Sequence, residues 1–204
     1  MTDIRSLCIY CGSGHGNDPV FTETAEALGH LLAAENIRLV YGGGSVGLMG
    51  TVARAALAKG GQVTGIIPQF LVDREVMLPE VSELIVTLDM HERKRLMFEH
   101  SDAFVALPGG IGTLEEVVEQ MTWAQLGRHK KPVMLANING FWDPLVSLFE
   151  HMSASAFIRP GFELSYGVAT SVDQILPKIR KRVAQIQALE DARPKTDAVP
   201  LERL

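Results

Sequence analysis

The stretch Ala103 to Glu116, AFVALPGGIGTLEE, decides the fold. Ala103 to Leu107 is apolar without interruption, as a strand buried on both faces requires, and Pro108 ends it. Gly109, Gly110 and Gly112 then form a turn, and Thr113-Leu114-Glu115-Glu116 opens an amphipathic segment that runs to Leu126. Strand, glycine turn and helix in that order make half of a βαβ unit. Working outward, β-rich runs recur at Leu7 to Tyr10, Arg38 to Tyr41, Gln62 to Ile67, Leu84 to Leu88, Val133 to Ala136 and Gly167 to Ala169. Helix-length segments separate them, at Val20 to Glu35, Leu48 to Lys59, Met90 to His100, Leu114 to Leu126, Trp142 to Met152 and Val172 to Leu189. The alternation predicts an α/β fold, a doubly wound parallel sheet with helices on both faces, whose ligands gather at the carboxyl ends of the strands. No repeat or linker divides the chain, so residues 1–191 read as one domain. The tail from Ala192 to Leu204, with Pro194 and Pro200 and no apolar period, is expected to fray.

The 204 residues are 47% hydrophobic and 21% charged, the composition of a globular chain rather than a disordered or fibrous one. A net charge of −5 leaves no basic field for a nucleic-acid backbone or an anionic membrane, so any anion must be held locally. The opening residues MTDIRSLCIY lack the apolar stretch of a signal peptide, and no segment approaches the roughly 18 apolar residues that span a bilayer, which points to a cytoplasmic protein. Cys8 and Cys11 form a C-x-x-C. An offset of three within a strand turns the two thiols to opposite faces, and no second pair completes a metal site, so both are expected in the core. His15, His30, His91, His100, His129 and His151 show no ligand spacing either, and no metal is anticipated.

Glycines concentrate behind three strands: Gly12, Gly14 and Gly16; Gly42, Gly43, Gly44, Gly47 and Gly50; and Gly109, Gly110 and Gly112. Tight turns alone would use some of them, but three such loops at one sheet edge, two leading into helices, point to a bound phosphate. Dinucleotide dehydrogenases need an acid where the second strand ends, and here Tyr41 is followed by Gly42. A Walker A loop is absent. Thr113 to Glu116 also fits a T-x-x-E capping box, so Glu116 has a purely structural reading beside a catalytic one. Upstream, MHERKRLMF at Met90 to Phe98 is read at about 100° per residue. Glu92, Arg95 and Glu99 then fall opposite Met90, Met97 and Phe98, while Lys94 lies among the apolar residues and Arg93 beside Met97. Both cations border the apolar stripe, where they either snorkel outward or line a cleft for an anion.

At these residues the sequence resembles the LONELY GUY (LOG) family, phosphoribohydrolases that release cytokinin bases from their 5′-monophosphates. PGGIGTLEE at Pro108 to Glu116 matches the family's P-G-G-x-G-T-x-x-E motif, and GGGSVGLMG at Gly42 to Gly50, MHERK at Met90 to Lys94 and TWAQLG at Thr122 to Gly127 extend the likeness over about Leu7 to Arg182. The resemblance implies a Rossmann-like sheet and a homodimer with sites near its interface. It implies Arg93 and Glu116 as the catalytic pair, Gly110, Gly112 and Thr113 as the phosphate cradle, Lys94 beside Arg93, and Glu75 touching substrate. The substrate-binding set also takes in Ile111, Leu114 and Glu115 along the same segment, and Ser13, Gly43 and Gly44 in the other glycine loops. Relatives are often labelled possible lysine decarboxylases, yet no lysine here sits in a recognisable pyridoxal phosphate setting, and no cofactor is expected. The reaction implied is hydrolysis of an N6-modified AMP to free base and ribose 5-phosphate. Two other readings stand beside it: a broader purine or pyrimidine 5′-nucleotide nucleosidase, and a non-catalytic carrier of a nucleotide or of molybdenum cofactor.

Overall fold

The computed structural model describes residues 4–72 and 77–192. Glu75 and the tail beyond Ala192 lie outside the described residues. Seven strands form one parallel sheet: β1 (Ser6–Tyr10), β2 (Arg38–Tyr41), β3 (Val63–Pro68), β4 (Glu83–Thr87), β5 (Ala103–Ala106), β6 (Val133–Ala136) and β7 (Gly167–Ala169). Their order is β4-β3-β2-β1-β5-β6-β7, and every pairing is parallel. Each strand matches one of the predicted runs, with ends shifted by a residue or so. The helices are α1 (Pro19–Ala34), α2 (Gly47–Ala58), a single turn α3 (Gln69–Val72), α4 (Met90–Glu99), α5 (Ile111–Gln125), α6 (Asp143–Ala154) and α7 (Val172–Asp191). The turn α3 and a 3-10 turn at Ile138–Gly140 are too short to give an amphipathic period, and the sequence did not announce them.

Because β1 is central, alternate residues feed two separate cores. Leu7, Ile9 and Cys11 pack with Leu28 and Leu32 of α1, Val52 of α2 and Ile175 of α7. Cys8 and Tyr10 face the other way, with Met97 of α4, Val117 of α5 and Phe149 of α6. The two cysteines are thus buried free thiols in opposite layers, and burial pushes both well above the ordinary thiol range, where no reactive thiolate forms at neutral pH. Among the described residues no helix is long and apolar enough to cross a membrane, and no group of three or more His, Cys, Asp or Glu side chains could hold a metal ion.

The order in which strands are added reverses at the β1/β5 boundary, since β2 to β4 extend from one side of β1 and β5 to β7 from the other. In such a sheet the loops after the two central strands diverge and leave a crevice at their carboxyl ends. The loops stay in touch at its base, where the Gly12 amide donates to the Pro108 carbonyl at 3.1 Å.

At the opposite end of β1, the Asp102 carboxylate accepts from the Arg5 amide at 2.9 Å, the Ser6 amide at 3.0 Å and the Ser6 hydroxyl at 3.1 Å. One side chain therefore registers the start of the central strand against β5. Asp102→Ala would strand these donors and should cost about 2 kcal/mol, measured as a lower urea midpoint at unchanged m-value. An unaltered midpoint would show that water replaces the carboxylate without loss.

Candidate active site

Each glycine loop delivers its helix differently. The α1 start is closed by Asp18, whose carboxylate accepts from the Val20 amide at 3.0 Å, with Pro19 behind it. At α2 the Leu48 amide donates to the carbonyl of Gly12 at 3.1 Å and lies 3.3 Å from that of Gly14, so the first loop already occupies this helix start. Only α5, of these three, begins with a glycine cap and no bond from a side chain: Gly110 is extended at φ −90°, ψ −158°, and Leu114 N returns to its carbonyl at 3.1 Å. An open first turn carrying the positive end of the helix dipole is where a phosphate would sit.

That geometry corrects the capping-box reading. The helix starts at Ile111, three residues before the predicted Leu114, so Thr113 lies inside the first turn and Glu116 in the second. A reciprocal cap exists instead on α4: Asp89 accepts from the Glu92 amide at 2.8 Å, and Glu92 accepts from the Leu88 amide at 2.8 Å. With Gly110 as the N-cap, Thr113 and Glu116 do not form the T-x-x-E box that their spacing suggests.

Within the predicted cradle, Gly110, Gly112 and Ile111 are solvent-exposed, Ile111 at 82%. Thr113 is buried, and its side chain lies where a Cβ on Gly109 would have to go, so residue 109 must be glycine for the loop to close on the helix. Leu114 packs into the core layer beneath α5. Ser13 is exposed in the loop after β1. Gly43 and Gly44 are buried: the Gly43 carbonyl accepts from Leu78 N at 3.1 Å, and Gly44 bridges to Met77. These two glycines therefore form a wall of the crevice rather than an open cradle.

Beside the open turn, α4 and α5 bring two pairs of charges together. Facing the sheet, the Arg93 guanidinium is only 6% exposed. Its Nε donates to the Ile66 carbonyl at 3.2 Å and one terminal nitrogen to the Gly42 carbonyl at 3.4 Å, just beyond the end of β2. That same nitrogen lies 3.9 Å from Glu116 Oε1, an ion pair in which both side chains are largely buried. A Cβ on Gly42 would collide with the guanidinium, so the glycine makes room for it. One helical position over, Lys94 turns outward and donates to Glu115 at 2.7 Å and Glu119 at 2.9 Å. Burial pulls the Lys94 ammonium's pKa down, but bonds and charge from the two carboxylates outweigh that and hold it above its ordinary value. Lys94 is thus a clamp between α4 and α5, and the sequence, which placed it among apolar residues, gave no sign of Glu119 as its partner. On the outer face Arg95 pairs with Glu92 at 3.8 Å and Glu99 at 3.1 Å, as the helical spacing predicts.

The site thus combines a buried cation, a carboxylate and an uncapped helix start, and related proteins share the chain that builds it. Residues 49–179 match the family model described as possible lysine decarboxylase. A probable cytokinin riboside 5′-monophosphate phosphoribohydrolase of Oryza sativa subsp. japonica is 46% identical over 175 residues, which is 86% of this chain and 78% of that protein. A cytokinin riboside 5′-monophosphate phosphoribohydrolase of Arabidopsis thaliana is 44% identical over 88% of this chain and 84% of its own length. Among solved structures, the molybdenum cofactor binding protein from Rippkaea orientalis superimposes with a TM-score of 0.64 over 90% of this chain and 99% of that one, at 24% identity, a likeness of fold. With sequence identity at this level over most of both chains, the protein belongs to the LOG family of cytokinin riboside 5′-monophosphate phosphoribohydrolases.

Proposed function

We propose that the protein hydrolyses the N-glycosidic bond of a cytokinin riboside 5′-monophosphate, an N6-modified AMP, releasing the free base and ribose 5-phosphate. The observation that carries this reading is the pairing of Arg93 with Glu116 next to the uncapped start of α5. In this reading the 5′-phosphate docks on the first-turn amides from Ile111 to Thr113 and supplies binding energy remote from the bond that breaks. Cleavage develops oxocarbenium character on the ribose, which the Glu116 carboxylate stabilises while it orients or deprotonates the attacking water. A purine leaves as a delocalised anion or after ring protonation, so no second acid is required. Arg93 spends two of its five donors on backbone carbonyls, which fixes the guanidinium plane. The other terminal nitrogen reaches Met90 Sδ at 3.6 Å, and the donors left over serve Glu116 and, in this reading, the substrate.

A molybdenum cofactor carrier shares the sheet and would not need Arg93 and Glu116 together. Product analysis with AMP, N6-isopentenyl-AMP and the matching riboside separates the alternatives. Free base and ribose 5-phosphate from the N6-modified nucleotide alone support the cytokinin reading, equal release from AMP supports a broader nucleosidase, and no release from any supports a carrier. The riboside should be turned over at least about 100-fold less efficiently than its monophosphate, because it leaves the α5 turn empty. Comparable kcat/KM on the two would overturn the assigned cradle.

Glu116→Gln tests the catalytic role directly. Gln is nearly isosteric with Glu and keeps a hydrogen-bonding side chain, and Arg93 is still held by two carbonyls, so the variant should fold. Loss of the charge should lower kcat on the order of 10²-fold or more. Single-turnover hydrolysis and thermal melting on one preparation decide it, and near-normal turnover would remove Glu116 from the mechanism.

We further propose a cytoplasmic homodimer. Leu126 at 72% exposure and Phe162 at 53% lie on segments tied by the Gln125 side chain, which donates to the Phe162 carbonyl, and together they offer an apolar patch for a second copy. Light scattering should return twice the chain mass at assay concentration, and a fully active monomer would refute the dimer.

A further inference from the structure

A second concavity lies at the other end of the sheet from the glycine loops. A cavity of about 760 Å³ opens where β6 and β7 begin, with Val133, Met134 and Gly167 at its floor. One wall is a stripe of α7, Lys178, Lys181, Arg182, Gln185, Ile186 and Leu189, which repeats at the three- and four-residue spacing of a single helix face. It is distinct from the stripe Ile175, Leu176 and Ile179, which is buried in the core. The facing wall is made by Lys130 and Lys131 and by the segment Leu164, Ser165 and Tyr166.

This lining is polarised in a way that solvation alone does not require. Lys178, Lys181 and Arg182 line the α7 wall, and among the described residues the one lining carboxylate is Glu163, in a protein of net charge −5; of the two lysines opposite, Lys130 is paired with Glu190 at 2.6 Å and Lys131 donates to the Phe98 carbonyl at 2.7 Å. Glu163 is itself turned to its own loop, where it accepts from the Gly161 amide at 2.9 Å. Two of the cations are fixed rather than free to swing away. Lys178 donates to the Val168 carbonyl on the edge strand at 2.7 Å, and Arg182 donates across the groove to the Ser165 hydroxyl at 2.7 Å. Holding like charges together raises the energy of the empty groove and lowers that of an anion within it. Further along α7 the stripe turns apolar, with Ile186 and a 67% exposed Leu189, and Leu164 and Tyr166 stand opposite. A ligand that fits carries its charge at one end and a flat apolar body at the other.

We propose that this groove is a second ligand site, which takes a phosphomonoester on a flat ring system, the phosphate on Lys178, Lys181 and Arg182 and the ring against Tyr166 and Ile186. It stands independently of the reaction assigned to the glycine-loop site. The volume falls within the range of about 300–1,000 Å³ typical of small-molecule pockets. Both halves of the ligand are needed, since the cations are solvated on one side and the apolar surface is small.

The test uses 1-naphthyl phosphate, which has no N-glycosidic bond to be hydrolysed, read by fluorescence anisotropy on the full chain. Saturable binding at the groove is expected, beside any at the phosphate-binding start of α5. It should weaken at least about tenfold in a Lys181→Glu, Arg182→Glu double variant, and stay within about twofold in Arg93→Ala, which marks the other site. Inorganic phosphate and 1-naphthol, as competitors, should each bind at least about tenfold more weakly than the ester. Lys181→Gln with Arg182→Gln gives the same ordering with a smaller loss and decides the matter if charge reversal unfolds the chain. Binding that disappears in Arg93→Ala but survives in the groove variants, inorganic phosphate that competes as well as the ester, or no saturable binding would each overturn the proposal.

Discussion

A guanidinium buried to within 6% of full enclosure must bring its partners with it, and much of the local structure follows from meeting that demand for Arg93. Unpaired, a charge so placed would cost several kcal/mol. Its partners are the carbonyls of Gly42, one residue past the end of β2, and of Ile66, one residue past the last β3 position that pairs with β2. Approach requires that residue 42 have no Cβ. It also requires α4 to begin where it does, which the reciprocal contacts of Asp89 and Glu92 ensure. The position of Arg93 is thus set by three elements, and Glu116, on a fourth, is brought to 3.9 Å from it. A pair fixed to this degree pays its reorganisation cost during folding rather than at the moment of reaction.

The inner strands were legible because both of their faces are covered, so their sequences are largely apolar without alternation, and Ala103 to Leu107 is the clearest example. The start of α5 was not. A glycine cap leaves no side-chain signal, whereas Thr113 and Glu116 mimic the T-x-x-E pattern, and the local motif was read in place of the real boundary. At α4 the predicted start, Met90, is the observed one, although its cap, Asp89 with Glu92, lies inside a run of charges that reads as a solvated face. Periodicity did place Arg93 beside Met97, and both are buried. What one-dimensional spacing could not supply were the partners: Gly42 lies 51 residues from Arg93, and Glu119 lies 25 from Lys94. Long-range contacts of that kind depend on strand order, which the βαβ alternation leaves open.

Charge at the start of α5 presents a further constraint, which explains why Lys94 is turned away from the crevice. A helix start carries about half a positive charge. Glu115, Glu116 and Glu119 within the first three turns would overwhelm it and repel a phosphate. Lys94 binds Glu115 and Glu119 at once, and Arg93 lies within ion-pair distance of Glu116. With the carboxylates offset pairwise, the amides from Ile111 to Thr113 remain attractive to an anion even though the chain as a whole carries −5. Screening confines the remaining field to about 8 Å at physiological salt, so this local cancellation counts for more at the site than the net charge of the protein. In the proposed reading Lys94 favours phosphate binding without touching the phosphate, by neutralising the acids that would compete with it.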